Sequence, residues 1–561
     1  IMSESNKTRT RRSRQLKVIP LGGLHEIGKN LTLLEYGNDI LIIDCGMAFP
    51  DDEMLGIDVV IPDFSYLIEN SDRIRGLVIT HPHEDHIGAV PYLLKSINVP
   101  IYGTRLTIGF IKNKLKEHQI NNADLNVIKP GDTVKLGVFK VEAIHMTHSV
   151  ADSLAFCVQT PLGYIFHTGD FKVDFTPVDG DPIDFARLAT IGDRGLLLLM
   201  SDSTNAVRKG YTASEKVVGL TLNNIFANTK KRIIIATFSS NVHRVQRIVD
   251  TAVANDRKVA VSGRSMENMV ALAKDLGYLN IPAGTLVDIQ KIKNIKDSEL
   301  VIITTGSQGE PMSALTRMAN NMHKQVSIRP GDMVILSSTA VPGNEKMVSN
   351  VVNALMEKGA EVIYNDIADT HVSGHAAAEE LKLILTLLKP KFFMPVHGEM
   401  RHLYAHAELA TEMGMEAHNI LKAKNGEIFE FTKNTAVKLK ETLPAGGVMV
   451  DGLGIGDVGS SVLSERKYLS EAGLIVIAAS FEEGHLASRP EIVSRGFVYA
   501  KQQGDILEEL RQIAEDVIVQ CIRSGVRDVD AIAEQCRARL RNHIYRTMKR
   551  SPVIIPVFME I

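Results

Sequence analysis

The chain has 561 residues, of which 45% are hydrophobic and 23% charged, and its formal net charge is −3. This composition is typical of a soluble globular protein with two or three domains. No run of about 18 apolar residues occurs, so no membrane span is expected. The first fifteen residues lack an apolar core, so no secretory signal is expected there either.

Cysteine usage points in the same direction. The four cysteines are scattered and form no CxxC pair: Cys45, Cys157, Cys521 and Cys536. This pattern favours reduced thiols and a cytoplasmic location over a disulfide framework or a cysteine-type zinc site.

The chain begins with a basic segment. Within residues 1–17, six lysine or arginine side chains accompany a single glutamate. Two interpretations stay open, a solvated flexible tail and an arm that contacts phosphates. We expect residues 1–16 to form a flexible tail.

The next region, residues 17–205, contains short apolar runs that end in polar residues. Such runs predict β-strands whose ends carry functional loops. The runs are DILIIDCG (39–46), GLVIT (76–80), FKVEAI (139–144), LAFCVQT (154–160) and YIFHTGD (164–170).

Between residues 206 and 370 apolar strands alternate with helical stretches. This alternation predicts a parallel, doubly wound sheet with buried strands. The strands are expected at RIIIATF (232–238), KVAVSG (258–263), LVIITTG (300–306), MVILSST (333–339) and EVIYN (361–365).

The last third of the chain returns to mixed elements. Residues 371–444 contain the expected strands KFFMPV and EIFEF, and a glycine-rich stretch at 445–459 is interpreted as a linker. Beyond it, GLIVIAAS (473–480), a helix over 505–525 and the strand PVIIPVFMEI predict a small α/β domain.

The densest chemical signal is LVITHPHEDHIGAV (77–90), where His81, His83, Asp85 and His86 form an HxHxDH motif. Pro82 has no amide hydrogen and keeps His81 extended, so the motif begins as a loop that leaves a strand. Imidazole nitrogen and carboxylate oxygen are zinc's usual donors apart from sulfur. One metal ion would take the first two histidines, and a neighbouring ion Asp85 and His86.

The alternative is a surface loop with incidental histidines. Three of the 18 histidines fall within six positions, which disfavours that interpretation. Glu84 stays open between a role in proton transfer and an outward-facing carboxylate.

Two metal sites need further donors, and three strand-end loops offer them. His148 lies in MTHSVADS, Asp170 in FHTGDFK and His397 in MPVHGEM. All three are expected at the same rim of the sheet. His145 and His167 are interpreted as structural histidines.

This set of motifs resembles the metallo-β-lactamase superfamily, whose fold is an αββα sandwich with a dinuclear metal site. The resemblance implies that His81, His83 and His148 bind one metal ion. Asp85, His86 and His397 would bind the second, and Asp170 would bridge the two. Asp44, in IIDCG, would support the site from behind.

A long interval, which contains the predicted doubly wound sheet, separates Asp170 from His397. Such an insertion resembles the β-CASP nucleases, whose additional motifs match Asp202 in MSDSTNA, His375 in HVSGHA and His397. Further segments resemble the bacterial ribonuclease J family over residues 17–561. They are GGLHEIGKN, TFSSNVHR, GRSM, TGSQGEPMSAL, HVSGHA and SPVIIPVFMEI.

The resemblance implies a domain order. After the tail, a metallo-β-lactamase domain is expected in two parts, 17–205 and 371–444, around a β-CASP domain at 206–370. The linker at 445–459 would lead to a C-terminal α/β dimerisation domain at 460–561.

It also implies a metal-dependent ribonuclease in RNA processing and mRNA decay. RNA phosphodiester bonds would be hydrolysed by a hydroxide held between two metal ions. The expected activity is 5′-to-3′ exonucleolytic, with a preference for 5′-monophosphorylated RNA, plus endonucleolytic cleavage. Asp85, Asp202 and His375 are the catalytic candidates, and for His375 a satisfied loop histidine is the alternative.

The implied cofactor is zinc, two ions per subunit, with Mn²⁺ or Mg²⁺ as alternatives. The implied partners are RNA, further copies of the chain in a homodimer or homotetramer, and RNA-decay proteins such as an RNA helicase. No membrane partner is expected.

Backbone amides and hydroxyls bind a terminal phosphate without forming another metal site. Two stretches therefore predict a phosphate pocket. FSSNVHR offers Ser239, Ser240, Asn241 and Arg244, and HVSGHA offers His371, Ser373, Gly374 and His375. For the serines, ordinary helix capping is the alternative.

Two other functions are alternatives to a ribonuclease. A hydrolase of the same superfamily acting on a thioester or lactam has no use for the inserted domain. A catalytically weak RNA-binding or scaffold paralogue is expected to have lost metal ligands, and here all seven are present.

Overall fold

The computed structural model describes residues 15–51, 53–178, 180–310, 313–340, 344–364, 367–497 and 503–561. The predicted basic tail lies almost wholly outside the described residues. Two compact units are present: a larger one with residues up to 49 and 60–448, and a smaller one with residues 50–59 and 449–561. Short 3₁₀ turns occur at Ser71–Arg73, Ile289–Asn294, Asp297–Glu299 and Ala417–Asn419.

The first part of the chain, to residue 202, is rich in strands. The strands are β1 (Leu16–Gly22), β2 (Leu31–Tyr36), β3 (Asp39–Ile43), β4 (Val59–Pro62), β5 (Ile74–Val78), β6 (Ile101–Gly103), β7 (Leu125–Val127), β8 (Thr133–Leu136), β9 (Phe139–His145), β10 (Leu154–Thr160), β11 (Gly163–His167) and β12 (Leu196–Asp202). The helices are α1 (Ser65–Glu69), α2 (Glu84–Ile87), α3 (Val90–Ser96), α4 (Arg105–Glu117) and α5 (Phe185–Asp193).

Strands and helices alternate from residue 215 to 363. They are α6 (Glu215–Ala227), β13 (Ile233–Ala236), α7 (Val242–Ala254), β14 (Lys258–Ser262), α8 (Arg264–Asp275), β15 (Leu286–Val287), β16 (Leu300–Thr304), α9 (Ala314–Ala319), β17 (Met333–Leu336), α10 (Glu345–Glu357) and β18 (Glu361–Ile363).

The remaining elements complete both units. They are α11 (Ala378–Leu388), β19 (Phe392–Val396), α12 (Met400–Glu412), β20 (Glu427–Phe431), β21 (Ala436–Thr442), β22 (Gly447–Asp451), β23 (Gly454–Ile455), α13 (Ser460–Ala472), β24 (Leu474–Glu482), β25 (His485–Leu486), β26 (Glu491–Arg495), α14 (Gln503–Arg523), α15 (Val529–Met548) and β27 (Val553–Glu560).

Two sheets pack face to face in the larger unit. One has the order β21-β20-β1-β2-β3-β5-β6-β7, and the other the order β19-β12-β11-β10-β9-β8. Strand β10 shows why its residues fit there, because side chains alternate between the two faces of a strand. Leu154, Phe156 and Val158 pack between the sheets, whereas Ala155 and Cys157 pack under helices α5, α11 and α12. With α4 beside β6 and β7, this arrangement is the predicted αββα sandwich.

The inserted region forms the predicted parallel, doubly wound sheet, with the order β15-β14-β16-β13-β17-β18. Strand β13 alternates its side chains in the same way. Ile233 and Ile235 pack on the side of α6, α7 and α8, whereas Ile234 and Ala236 pack on the side of α9 and α10. The five predicted strands are confirmed, and the two-residue strand β15 is an addition.

The smaller unit is built on β24, which pairs with β26 in antiparallel and with β27 in parallel orientation. Its buried side chains, from Ile475 to Phe481, pack with those of α14 and α15. The stretch 445–459, interpreted as a linker, contains the short hairpin β22–β23. Arg466 of α13 donates to the carbonyl of Leu55 at 2.8 Å, which attaches residues 50–59 to this unit. The proposed domain boundaries themselves stay predictions.

Among the described residues, no helix has both the length and the apolar character that crossing a membrane requires.

Candidate metal centre

One edge of the second sheet collects polar side chains. Strands β11, β12 and β19 run parallel, so their carboxyl ends lie at the same edge. Asp170 follows β11, Asp202 ends β12 and His397 follows β19. Strand β9 runs in the same direction, since it and β11 are both antiparallel to β10, and its end leads to His148. The HxHxDH motif follows β5 of the first sheet.

The first group of donor atoms comprises His81, His83, His148 and Asp170. His83 Nδ1 lies 3.0 Å from His81 Nε2 and 3.2 Å from His148 Nε2. Two ligand atoms on a tetrahedral zinc ion with bonds of ~2.0–2.1 Å are separated by about 3.3 Å. The three nitrogens therefore already stand at the separation that one zinc ion imposes.

The second group comprises Asp85, His86, Asp170 and His397. Asp85 Oδ2 lies 3.1 Å from His397 Nε2 and 3.5 Å from His86 Nε2. The motif is divided between the two groups, with His81 and His83 in the loop and Asp85 and His86 in the first turn of α2, which begins at Glu84.

Asp170 belongs to both groups. Its Oδ2 lies 3.3 Å from His86 Nε2, 3.4 Å from His397 Nε2, 3.6 Å from His81 Nε2 and 4.0 Å from His148 Nε2. The side chain is only 2% exposed. One buried carboxylate oxygen among four imidazole nitrogens has the geometry of a bridging ligand.

Oxygen partners hold the other ring nitrogen of three of these histidines, His86, His148 and His397. His148 Nδ1 donates to the carbonyl of Gly374 at 2.7 Å, and His86 Nδ1 to Asp44 Oδ2 at 2.8 Å. His397 Nδ1 lies 2.6 Å from Thr204 Oγ1. A ring proton on Nδ1 leaves Nε2 with its lone pair facing the centre of the cluster, which is the arrangement found in metal-binding histidines.

Asp44, predicted to support the site from behind, lies behind His86 and Thr80. Besides His86, it accepts the backbone N–H of Thr80 at 2.8 Å and the Thr80 hydroxyl at 2.9 Å. Its φ of 61° and that of His397, 55°, lie in the left-handed region. Aspartate and histidine are among the residues other than glycine that adopt this conformation most often, and here it turns both side chains toward the site.

Asp202 and His375 form a hydrogen-bonded pair next to the two groups, with His375 Nδ1 2.8 Å from Asp202 Oδ2. Burial alone would lower the pKa of His375, but Asp202 raises it above its ordinary value. Burial alone would raise the pKa of Asp202, but the imidazole holds it below its ordinary range. The Asp202 carboxylate therefore favours the protonated form of His375 beside the metal donors.

The loop of His371, Ser373, Gly374 and His375 is held tightly against the site. Ser373 Oγ accepts hydrogen bonds from Asn205 Nδ2 at 2.8 Å and from the amide of His375 at 3.2 Å. Neither bond uses the hydroxyl hydrogen of Ser373, which stays available as a donor. A Cβ on Gly374 would lie 2.6 Å from His148 Cε1, so only glycine fits beneath this ligand.

His371, which the sequence predicted as a phosphate ligand, belongs to the same loop. Its Nδ1 is buried without a hydrogen-bond partner among the described groups. Burial, followed by the charge of Arg244, lowers the pKa of His371 to about 3. It is therefore neutral and offers a phosphate one N–H donor rather than a positive charge.

The serine turn fits the prediction only in part. Ser239 and Ser240 are partly exposed, as a phosphate contact requires. Asn241 instead caps α7, with its side chain accepting the amide of Arg244 at 2.9 Å. The assignment of Asn241 as a phosphate ligand is corrected to a helix cap.

Arg244 is the clearest correction, because its side chain is 0% exposed. Its guanidinium binds both carboxylate oxygens of Glu215 at 2.9 Å. It also donates to the carbonyls of Ser337 at 3.0 Å and Thr370 at 2.9 Å. All its donors are used inside the protein, so Arg244 cannot contact an RNA phosphate. The sequence predicted a strand-to-helix junction here, but it did not indicate that Arg244, one turn into the helix, points inward.

Glu84, His167 and His145 each have a defined partner within the protein. Glu84 is paired with Lys114 of α4 at 2.6 Å. His167 Nδ1 accepts the amide of Gly169 at 3.1 Å, and His145 Nε2 donates to the carbonyl of Asp181 at 2.8 Å. These contacts agree with the structural interpretation of both histidines.

Four supporting residues escaped the sequence analysis: Asn30, Thr80, Thr204 and Asn205. Thr80 and Thr204 hold ligand rings, Asn205 holds the histidine loop, and Asn30 Nδ2 lies 3.1 Å from the carbonyl of Asp85. All four lie within quoted segments, in GGLHEIGKN, LVITHPHEDHIGAV and MSDSTNA. Their position in these segments was the only sequence signal for a supporting role, and it does not show which side chain each residue contacts.

The donor set fits a dinuclear metal site. Three nitrogens converge on one another with few protons between them, and a shared carboxylate lies between two such groups. Without a cation, lone pairs would face lone pairs in a buried space, which is unfavourable. The seven donors named for metal binding therefore form two compartments that share Asp170, with His375 and Asp202 beside them.

Comparisons with protein families agree with this geometry. Residues 26–208 match the metallo-β-lactamase superfamily, and 359–420 match the Zn-dependent metallo-hydrolase RNA specificity domain. Residues 230–355 match the ribonuclease J β-CASP domain, and 461–561 the ribonuclease J C-terminal domain.

Individual relatives cover nearly the whole chain. Ribonuclease J 1 of Streptococcus pyogenes is 42% identical over 97% of this chain and 98% of its own length. Ribonuclease J2 of Bacillus subtilis is 41% identical over 97% and 99%. A crystal structure of a protein of unknown function from Enterococcus faecalis covers 74% of this chain and all of its own, at 15% identity and a TM-score of 0.53. That last similarity concerns the fold alone.

Proposed function

The chain belongs to the ribonuclease J family, and from that premise we propose how this metal-dependent ribonuclease acts on RNA. We propose a 5′-to-3′ exonuclease that prefers 5′-monophosphorylated RNA and also cleaves internal sites, in RNA processing and mRNA decay. The observation that supports it most is the position of Asp170 Oδ2, within 3.3–4.0 Å of four imidazole nitrogens.

We propose that two zinc ions occupy the site, with Mn²⁺ or Mg²⁺ as alternatives. His81, His83 and His148 would hold one ion, Asp85, His86 and His397 the other, and Asp170 both. When bound, a pair of ions lowers the pKa of water and offsets charge on a phosphodiester. Since all seven donors are present, the donor set gives no support to a catalytically weak scaffold.

The protein's own groups orient the reaction. Asp202 accepts the Nδ1 proton of His375, so the other ring nitrogen, Nε2, is the one free to face a substrate. From there a protonated His375 donates to a non-bridging oxygen or to the leaving group as charge develops. Asp85 contacts His397 in the second donor group, and its carboxylate is partly exposed at the edge of the metal site.

We propose that the 5′ phosphate binds to hydroxyl and amide donors of the histidine loop and the serine turn. Ser373 has an unused hydroxyl hydrogen, and Ser239 and Ser240 are partly exposed. A pocket sized for one phosphate would exclude a triphosphate, which is bulkier and more negative. Arg244 and Asn241 have no part in this proposal.

End-labelled RNAs that differ only in 5′ phosphorylation test the function. We expect faster exonucleolytic decay of the monophosphate form. Ser373→Ala and Ser240→Ala should each reduce that preference by about 1–3 kcal/mol, which is the value of a hydrogen bond to a charged group. Cleavage at internal sites should change less.

Ser464→Ala is the matched control, because Ser464 lies in the smaller unit and bonds only a carbonyl of its own helix. Equal decay of the two RNAs by the wild-type chain would refute the 5′ preference. Serine variants that slow both modes alike would place the pocket elsewhere.

We propose that the chain forms a homodimer or homotetramer through its C-terminal domain. Truncation after Val448, where the larger unit ends, should weaken self-association and activity together without loss of bound metal. Light scattering measures the association, and metal analysis serves as the control. A truncated chain that keeps its full oligomeric state would contradict the proposal.

A cytoplasmic location and an RNA helicase partner complete the proposal. The four cysteines are free and buried, as expected for a chain kept in a reducing compartment. Co-purification of an RNA helicase with the tagged chain tests the partner. The association should survive RNase treatment and be lost on mild salt washing.

A further inference from the structure

The loop of residues 206–211, AVRKGY, leaves the candidate active site and returns to it. At its start, Asn205 Nδ2 donates to the carbonyl of His375 at 3.0 Å. Just after its end, Thr212 Oγ1 donates to the same carbonyl at 2.7 Å. The residues at both ends of the loop are therefore hydrogen-bonded to His375, which carries the catalytic imidazole.

The backbone between these ends is also fixed. The carbonyl of Arg208 accepts the amide of Ala378 at 2.9 Å, and the carbonyl of Gly210 accepts the amide of Glu379 at 3.1 Å. Gly210 has a φ of 79°, which turns the chain back toward the site. The loop is thus a rigid support rather than a free segment.

Its side chains, by contrast, face solvent. Tyr211 is 62% exposed and Val207 52%, and both Arg208 and Lys209 are exposed. Within the described part of the chain, neither basic side chain forms an ion pair. The charge of Arg208 also contributes to the lowered pKa of His371 in the histidine loop.

We propose that the AVRKGY loop binds single-stranded RNA beside the site of cleavage, with a base stacked on Tyr211 and phosphates bound by Arg208 and Lys209. This inference rests on the proposed ribonuclease function and adds to it a substrate contact. An exposed tyrosine next to unpaired cations, fixed at the edge of a phosphodiesterase site, has the chemistry of a stacking platform. Because every base has a π-face, such a contact would tolerate any sequence.

Binding is measured with full-length, metal-loaded protein and a fluorescent single-stranded oligoribonucleotide with cleavage-resistant phosphorothioate linkages, so that the strand stays intact. Base–aromatic stacking is worth about 1–3 kcal/mol per base, so Tyr211→Ala should raise Kd at least about fivefold. Tyr211→Phe should bind within about twofold of wild type, because the ring is kept. Tyr468→Ala, at the same 62% exposure but in the smaller unit, is the control and should leave Kd unchanged.

A spectroscopic readout separates stacking from a general loss of structure. With 2-aminopurine placed at successive positions of the RNA, wild type and Tyr211→Phe should quench its fluorescence at one position. Tyr211→Ala should lose that quenching, and an abasic nucleotide at the same position should make wild type and Tyr211→Ala bind equally. Quenching that is the same in all three proteins would overturn the proposal.

The two cations have their own test. Each phosphate contact on a single strand contributes roughly 0.7 to the slope of log K against log salt. The double variant Arg208→Gln/Lys209→Gln should therefore lower the slope by about 1.4. Arg539→Gln/Arg541→Gln, two exposed residues of α15, should leave it unchanged.

The outcomes distinguish this inference from the function on which it rests. If wild-type protein binds the RNA and Tyr211→Ala binds it equally well, the inference fails while the ribonuclease proposal stands. If the wild-type chain does not bind single-stranded RNA at all, both fail. A fivefold loss restricted to Tyr211→Ala, with the salt effect restricted to the loop cations, supports the inference.

Discussion

Two buried polar clusters lie in the larger unit, and they behave in opposite ways. The donor cluster consists of the seven metal-ligand candidates around Asp170. The Arg244 cluster consists of Arg244, Glu215, Ser337 and Thr370. Both are largely buried, and the sequence predicted functional roles for all members of the donor cluster but only for Arg244 of the second cluster. In the first, imidazole nitrogens face one another around a shared carboxylate, whereas in the second the guanidinium nitrogens meet oxygen acceptors.

The difference is one of hydrogen-bond satisfaction. All three nitrogens of the Arg244 guanidinium donate to carboxylate or carbonyl oxygens. In the donor cluster, His83 Nδ1 faces two other imidazole nitrogens, and a single nitrogen cannot be hydrogen-bonded to both in neutral rings. Burial without satisfaction is costly, so only the donor cluster needs a cation.

The comparison teaches that a buried polar cluster indicates a binding site when its own groups cannot satisfy one another. The Arg244 cluster is satisfied and therefore contributes structure. It bonds the carbonyl of Thr370, next to the histidine loop, so its effect on the site is one of position. Three predictions test this distinction, from the largest expected effect to the smallest.

Removing a donor from the donor cluster should abolish activity. His83→Ala and Asp170→Ala should each lower RNA hydrolysis by at least about 10³-fold, because the metal-assembled nucleophile is lost. RNA binding should stay largely intact, since phosphate contacts lie mainly on other residues. Metal content by atomic absorption, hydrolysis rate and RNA affinity are measured together.

His145→Ala is the matched control, since His145 lies on β9 near the site but bonds only the carbonyl of Asp181. Near-native turnover of Asp170→Ala at normal metal content would contradict the dinuclear site.

Breaking the Arg244 cluster should affect stability instead. Glu215→Gln leaves a buried guanidinium without its counter-charge, which should cost about 3–5 kcal/mol of apparent unfolding free energy. Bound metal should stay at the wild-type level. Urea unfolding followed by circular dichroism measures the loss.

The control for this prediction is Glu361→Gln, in the exposed pair with Lys231, whose side chains are 51% and 42% exposed. Its effect should not exceed about 1 kcal/mol. If the two variants lost the same stability, the contrast between buried and exposed pairs would not hold here.

Weakening the support of one ligand should give the smallest change. Thr204→Val keeps the shape of the side chain but removes the oxygen that holds His397 Nδ1. A loss of about 10–100-fold in metal affinity or activity is expected, as for other partners of metal-binding histidines. Thr190→Val, an exposed helix threonine bonded to Ala186, is the control. Unchanged metal affinity in Thr204→Val would show that His397 does not need this partner.

The sequence by itself determined the sheets, the inserted doubly wound region and the seven donor candidates. Periodicity accounts for the strands, because β10 and β13 must alternate their apolar side chains between two covered faces. Spacing accounts for the HxHxDH motif, because its residues are neighbours in the chain. For these features the local sequence carries the physical constraint.

Only the tertiary structure decided what lies opposite each side chain. Arg244 and Tyr211 illustrate what the sequence could not predict. Arg244 is a basic residue near a strand end that packs inward against Glu215, which is 29 residues away in sequence. Tyr211 is an aromatic residue that faces solvent at the edge of the site. Whether a polar group is satisfied depends on partners brought together from distant parts of the chain, and that pairing is a property of the fold.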